Sequence, residues 1–173
     1  NYYFFENLNF KTTAYRATVF DQIESNSAYT KHENEKIDIN QEGLENNLLL
    51  NTNTQSFSIY SNFSKSRKTN GQAQSRRPDL SYGLNYKKII NQTLIGPLNF
   101  NLNYKYTGKY IDYDGSKNSR QKSTDILDLY FTKDFYGNIL SLKISNVLNE
   151  RYEKPATYNQ DGRKIMLGYR SSY

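Results

Sequence analysis

The 173-residue sequence contains no cysteine and a single histidine. The absence of cysteine excludes disulfides, thiol nucleophiles and zinc–thiolate sites, and the lone His32 excludes a multi-histidine metal centre. Hydrophobic residues make up only 36% of the chain and the mean hydropathy is −0.89, so a large dry core is not expected. No apolar run reaches the length of a membrane-spanning helix, which excludes transmembrane helices from this chain.

Recognisable catalytic and nucleic-acid-binding patterns are also missing, although the formal net charge is +6. The densest basic stretches, residues 65–68 and 76–77, lie on no helical pattern and in no binding motif, so solvated loops explain them better than a nucleic-acid partner. His32, with Ser25 and Ser27 near it in sequence, is the one candidate base of the usual kind for a nucleophile. We therefore expect no enzyme activity, no catalytic residue, no metal site and no cofactor.

One acidic segment has a faint likeness to a calcium loop. Residues 112–116 (DYDGS) supply two aspartates and a glycine. The segment lacks the third aspartate and the later glutamate of a helix–loop–helix calcium site. An ordinary polar loop is therefore the favoured interpretation, with calcium as the alternative.

The strongest pattern in the sequence is the alternation of apolar and polar side chains with a period of two. In residues 98–107 (LNFNLNYKYT), Leu, Phe and Tyr share one parity and Asn, Lys and Thr share the other, which is typical of a strand with one apolar face. Similar alternation and two noisier segments, roughly 7–22 and 36–50, bring the expected total to eight strands with no long helix. In the second noisy segment the apolar parity changes around Gly43, which predicts a β-bulge.

The connections between the predicted strands alternate between short and long. Short, turn-like connections lie near residues 51–55, 91–97 and 134–138, and long polar ones lie near 23–35, 66–78, 112–122 and 150–162. Transmembrane β-barrels show this asymmetry, with lipid against the apolar faces, a wet lumen against the polar faces and aromatic girdles at both interfaces. We predict an all-β, antiparallel, up-and-down transmembrane β-barrel, with an antiparallel sheet that has one solvated face as the alternative.

The last predicted strand alternates and closes on an aromatic residue. This ending resembles the C-terminal assembly signal of bacterial outer-membrane proteins, and Ser171 departs from that signal. The positions of this signal are Ile165, Leu167, Tyr169 and Tyr173.

Two segments near the end of the chain, residues 142–152 (LKISNVLNERY) and 158–169 (YNQDGRKIMLGY), carry recognisable motifs. They resemble, in the same order, the closing segments of TonB-dependent outer-membrane receptors, with Asp161 where proline is more usual. Earlier segments that fit are 41–45 (QEGLE), 76–78 (RRP) and 104–109 (YKYTGK). The family-motif positions are Gly43, Glu45, Arg76, Arg77, Pro78, Asn146, Tyr152, Gly162 and Arg163.

This resemblance implies a barrel of about 22 strands that is plugged by an N-terminal domain. Residues 1–173 would supply the last eight strands, without the plug or the early strands, and a start at Asn1 rather than Met fits such a fragment. The implied function is TonB-energised uptake of a scarce, bulky nutrient across the bacterial outer membrane. The implied partners are outer-membrane lipid, TonB, the barrel-assembly machinery and the transported ligand.

The transported ligand is left open between two classes. Residues 152–155 and 158–163 resemble most the vitamin B12 (cobalamin) receptor branch, and ferric-siderophore receptors, which share most of the motifs, are the alternative. The sequence assigns no ligand-contacting residue. A complete eight-stranded porin-like or adhesin-like barrel and a soluble β-sandwich binding module are further alternatives for the whole molecule.

Overall fold

The computed structural model describes residues 2–5, 7–25, 31–34, 37–91, 96–113 and 117–171. No helix in this part of the chain is long and apolar enough to span a membrane. The described residues form thirteen strands: β1 (Tyr2–Phe5), β2 (Leu8–Val19), β3 (Ile23–Ser25), β4 (His32–Asn34), β5 (Ile39–Asn51), β6 (Gln55–Lys68), β7 (Leu80–Ile90), β8 (Leu98–Thr107), β9 (Tyr110–Tyr113), β10 (Asn118–Gln121), β11 (Thr124–Phe135), β12 (Asn138–Ser145) and β13 (Lys164–Ser171).

Nine of these strands build one antiparallel sheet in the order β1-β2-β5-β6-β7-β8-β11-β12-β13. Each strand pairs with its neighbour along the chain, apart from two small hairpins, β3–β4 and β9–β10, that lie within long connections. This is the predicted all-β, up-and-down architecture. The eight predicted strands correspond to β2 and its successors in the sheet, and the structure adds β1 at the edge and the two hairpins in segments predicted as loops.

The regular pairing collects the apolar side chains on one face of the sheet. Because side chains alternate between faces, partners across neighbouring strands always share a face. The opposite face is polar, with Ser58, Asn85 and Asn103 as successive partners. One apolar row crosses all eight predicted strands through Leu8, Leu50, Phe57, Tyr86, Leu102, Leu129, Ile144 and Ile165.

No second layer covers the apolar face in the described part of the chain. Leu167, Tyr169 and Ile165 are 84, 66 and 65% exposed, and the buried hydrophobic residues there are only Ile39 and Ala156. A soluble β-sandwich would bury this face against a second sheet, so the sandwich alternative is wrong. The edge strands β1 and β13 are not partners of each other, as a complete eight-stranded barrel would require, so that alternative is wrong as well.

Gly43 is not a β-bulge, which corrects the sequence-based prediction. Pairing runs through β5 on both sides without a shift of register. Gly43 lies opposite Tyr15, and a Cβ at this position would come within 2.6 Å of the Tyr15 hydroxyl oxygen. Gly83 stands in the same way opposite Tyr60. The glycine therefore makes room for a tyrosine ring, and the parity changes because Ile39 lies buried on the polar face.

The aromatic side chains of the apolar face form two bands. Near the long connections, the rings of Tyr82 and Tyr106 stack with centroids 4.6 Å apart, and Tyr104 lies beside them. Bands at both edges of an apolar belt are typical of transmembrane β-barrels. The second band, nearer the short turns, has neighbouring ring centroids 5.0 to 6.4 Å apart and consists of Phe57, Tyr86, Phe100 and Phe131.

Candidate functional site

The carboxylate of Asp112, in β9, joins three of the long connections. It is 1% exposed. Its Oδ1 accepts hydrogen bonds from Arg76 Nε at 2.6 Å and from the Tyr113 N–H at 2.8 Å, and its Oδ2 accepts one from the Ala156 N–H at 2.8 Å. The Arg76 N–H also donates to the Ile111 carbonyl oxygen at 2.7 Å. We call Arg76, Asp112 and Ala156 the loop clamp, because they tie together the connections β6–β7, β8–β11 and β12–β13.

The hydrogen bonds of the clamp keep Asp112 ionised. Burial on its own favours the neutral carboxyl, but the hydrogen bonds from the Ala156 N–H and from Arg76 outweigh burial and hold the pKa of Asp112 below its usual range. Both carboxylate oxygens are therefore used within the protein. This favours the interpretation of an ordinary polar loop at Asp112; residues 114–116, which belong to the same segment, lie outside the described residues. The described residues also contain no group of three or more side chains suited to hold a metal ion.

Asn146 organises the connection between β12 and β13. Its φ of 50° is left-handed, a conformation that asparagine adopts more readily than most residues. The buried side-chain amide donates to the carbonyl oxygens of Glu150 and Asp161 at 2.8 and 3.2 Å, and its Oδ1 accepts from the Glu150 N–H at 2.9 Å. Its own N–H donates to Asp128 Oδ1 at 2.7 Å, which anchors the connection to β11.

A second asparagine completes the fold of this connection. Asn149, at a φ of 55°, accepts a hydrogen bond from the Arg163 N–H at 3.0 Å through its Oδ1. A Cβ at Gly162 would lie 2.7 Å from that oxygen, so only glycine fits there without a shift. The Arg163 Nε donates to the Val147 carbonyl oxygen at 2.9 Å. These motif residues therefore hold the shape of the connection.

A cavity of about 440 Å³ lies between the clamp and the polar face of the sheet. This volume falls within the range of small-molecule sites. We call it the mouth pocket. On the side of the sheet it is lined by Ser81, Lys105, Thr107, Thr124 and Ile126, and on the side of the connections by Arg76, Pro78, Tyr110, Asp112, Gln121, Lys122, Tyr152, Glu153, Lys154 and Pro155.

The structure divides the family-motif positions into separate groups. Arg76, Pro78 and Tyr152 meet at the mouth pocket. Gly43 and Glu45 lie on the polar face of β5 and belong to neither that pocket nor the last connection. The remaining positions are Arg77, which is exposed, and Asn146, Gly162 and Arg163, which shape the last connection.

The predicted assembly signal lies on the edge strand β13. Ile165, Leu167 and Tyr169 point outward on the apolar face, and the Tyr169 hydroxyl donates to Asn138 Oδ1 at 2.9 Å. Tyr173 lies outside the described residues.

The one histidine lies in the small hairpin β3–β4. The backbone of His32 pairs with that of Ser25, and His32 is exposed. Ser27 lies outside the described residues.

Sequence reasoning missed the clamp and the cations of the mouth pocket. The clamp joins Asp112 to residues 36 and 44 positions away in the chain, and no local pattern encodes such a contact. For Lys105 the alternation predicted the polar face correctly, but nothing in the sequence brought Lys154 to the same cavity.

Comparison with known proteins identifies the fold. No protein-family model and no curated protein matches the sequence. The chain matches the ferric yersiniabactin uptake receptor FyuA from Yersinia pestis with a TM-score of 0.76 and 18% identity, over 96% of this chain and 26% of that one. It also matches the outer-membrane ferripyoverdine receptor of Pseudomonas aeruginosa (TM-score 0.75, 15% identity, 93% of this chain and 24% of that one). A third match is the ferric-catecholate import receptor Fiu from Escherichia coli K12 (TM-score 0.72, 14% identity, 94% and 25%).

At these identities the likeness concerns the fold, and the chain spans about a quarter of the length of the structures that it matches. The chain therefore has the antiparallel β-fold of a segment of outer-membrane receptors.

Proposed function

We propose that this chain forms part of the barrel wall of a TonB-dependent receptor in the bacterial outer membrane, which takes up a bulky nutrient. The observation that carries this proposal is the match of 96% of the chain to an uptake receptor at a TM-score of 0.76. The ordered motifs of residues 41–169 support the same family, and the uncovered apolar face with its two aromatic bands supports a place in lipid. The role that we propose is transport without catalysis.

Among ligands, we rank a ferric chelate first. The solved structures that the chain matches include receptors for ferric yersiniabactin, ferripyoverdine and ferric catecholates. Vitamin B12 is the second candidate, because the motifs at 152–155 and 158–163 resemble the cobalamin receptor branch most closely.

The proposal also assigns partners to the two faces of the sheet. Outer-membrane lipid would cover the apolar face, and the polar face would line a wide lumen that holds the plug. The many short polar side chains of that face, such as Ser58, Asn85 and Asn103, suit the wall of a wide lumen better than a filled narrow one. In this proposal, residues 1–173 are the C-terminal part of the barrel, TonB binds a part of the protein outside this chain, and the barrel-assembly machinery engages β13.

Uptake by intact cells tests the function and the ligand together. Cells that lack the full-length gene, and complemented cells, are compared for accumulation of radiolabelled iron chelates and of radiolabelled cyanocobalamin. We expect accumulation of a ferric chelate that stops when TonB is deleted. Accumulation of cyanocobalamin alone would reverse the ranking of the ligands, and uptake that persists without TonB would exclude an energised receptor.

A further inference from the structure

Positively charged side chains outnumber acidic ones in the lining of the mouth pocket. We propose that it binds a carboxylate group of a small anionic ligand, with Arg76, Lys105 and Lys154 as the recognising side chains. The identity of the ligand rests on the proposed function, in which a transported ferric chelate would present the carboxylate. The pocket itself is argued from the contacts of the lining residues.

Arg76 offers a fixed pair of donors. Its Nε is bonded to Asp112 and its side chain is 63% exposed, while its two Nη atoms make no hydrogen bond within the described residues. The Nη edge of a guanidinium matches a carboxylate with two parallel hydrogen bonds. Because the clamp already holds Nε in place, little conformational freedom is left to lose when an anion binds.

Two lysines add charge from opposite sides of the pocket. Lys105 projects from the polar face of β8, and Lys154 belongs to the connection between β12 and β13. Both are exposed, and neither forms an ion pair among the residues that the structure describes. Lys122 differs from them, because its Nζ lies 2.9 Å from Glu150 Oε1.

The two acidic side chains of the pocket balance only part of this charge. Asp112 is paired with Arg76 in the clamp. Glu153, whose Oε2 accepts a hydrogen bond from the Thr157 N–H at 2.7 Å, offsets one of the two positive charges of Lys105 and Lys154, so positive charge remains in excess. A concave site with an excess of one sign of charge concentrates the opposite ion. The mouth pocket is therefore complementary in charge to an anionic ligand.

The tyrosines of the pocket complete a site for an organic anion. Tyr110 and Tyr152 are half-buried and line the cavity. Burial, followed by the nearby charge of Asp112, raises the pKa of Tyr110, so its hydroxyl stays protonated and can donate a hydrogen bond at neutral pH. The rings offer apolar surface to the body of the ligand. A pocket of this kind favours a chelate with free carboxylates over cobalamin.

The first test measures the signals of isotope-labelled lysine side chains while a carboxylate ligand is added. The full-length protein in detergent is reductively methylated with isotope-labelled formaldehyde, which keeps the charge of each lysine, and the signals are assigned with Lys105→Arg and Lys154→Arg. The protein is titrated with tricarballylate, and the uncharged triamide of the same acid is the control. We expect the signals of Lys105 and Lys154 to move together and saturate, while the signal of Lys143, an exposed lysine of the polar face outside the pocket, stays in place.

Affinity provides the second readout. Lys105→Gln and Lys154→Gln should each weaken tricarballylate binding roughly tenfold, about the effect of one charge-assisted hydrogen bond, and Lys143→Gln should not. The proposal is overturned if all three lysines move alike, if the triamide gives the same shifts, or if inorganic phosphate binds more tightly than tricarballylate. These titrations do not depend on transport, so saturable binding without TonB-dependent uptake of either a ferric chelate or cyanocobalamin would refute the proposed function and leave the pocket standing.

Discussion

Asp112 is stable as a buried charge because the protein supplies three hydrogen bonds to its carboxylate. Arg76 donates one of them and balances the charge, and the N–H groups of Tyr113 and Ala156 donate the other two. Removal of one member of such a set is costly, since it leaves the others buried without a partner. The connections that meet at Asp112 should therefore loosen together when this residue changes.

The substitution Asp112→Asn tests this coupling. Loss of the charge should weaken the clamp by about 1.5–3 kcal/mol, the range for a hydrogen bond to a charged group. Backbone hydrogen exchange at Ala156 and at Arg76 should accelerate together. Asp161→Asn is the matched control, because Asp161 forms an ion pair with Lys164 in which both side chains are exposed, and such pairs contribute little. Faster exchange at only one of the two clamp segments would contradict the coupling.

The clamp should also open in acid. The pKa of Asp112 is lower in the folded protein than its ordinary value, so its contribution to stability is complete above that ordinary value, about 4. It is lost as the pH falls through the folded pKa. Hydrogen exchange at Ala156, corrected for the intrinsic pH dependence, should stay slow at about pH 4 and become faster only below it. The Asp112→Asn variant should lack this acid transition; a transition of the same size in the variant would assign it to another group.

At the scale of the strand, two residues that are adjacent in the chain lie on opposite faces of the sheet and therefore meet different environments. Leu102 lies in the middle of β8 on the apolar face, and Asn103 lies beside it on the polar face. If lipid covers the apolar face, Leu102→Lys should destabilise the full-length protein by about 2–4 kcal/mol, and Asn103→Lys should have a much smaller effect. Urea unfolding in lipid vesicles measures both. Equal losses would show that the two faces meet the same environment.

The elements differ in how far the sequence determines them. The strands were predicted because the environment on each face imposes a period of two over residues that are adjacent in the chain. The prediction of a bulge at Gly43 was wrong. The apolar side chains of β5 change from one face to the other without any shift in the pairing of the strand, and only such a shift would make a bulge. Here Tyr15, from the neighbouring strand, occupies the space above the glycine. The clamp depends on three distant segments and could not be predicted from any one of them.

At the scale of the whole molecule, the sheet has one apolar face, one polar face and two edge strands. The apolar face is uncovered, and the edge strands β1 and β13 each have one neighbour in the described residues. Free edges of this kind promote aggregation. In the proposed receptor, lipid would cover the apolar face and further strands would pair with the two edges, and the chain matches about a quarter of the length of each barrel receptor that shares its fold.

If the chain lies in the outer membrane as proposed, the difference between its two ends predicts its orientation. The short turns lie at one end of the sheet, and the loop clamp and mouth pocket lie at the other. In outer-membrane barrels the longer connections face the outside, so Asn70 should be extracellular and Asn53 periplasmic. Both residues are exposed, and residues 1–173 contain no cysteine. Single cysteines at these positions of the full-length protein should react with a membrane-impermeant maleimide on intact cells at Asn70→Cys only. Asn53→Cys should react after the outer membrane is permeabilised. Labelling of Asn53→Cys on intact cells, with protection of Asn70→Cys, would invert the orientation and place the mouth pocket on the periplasmic side.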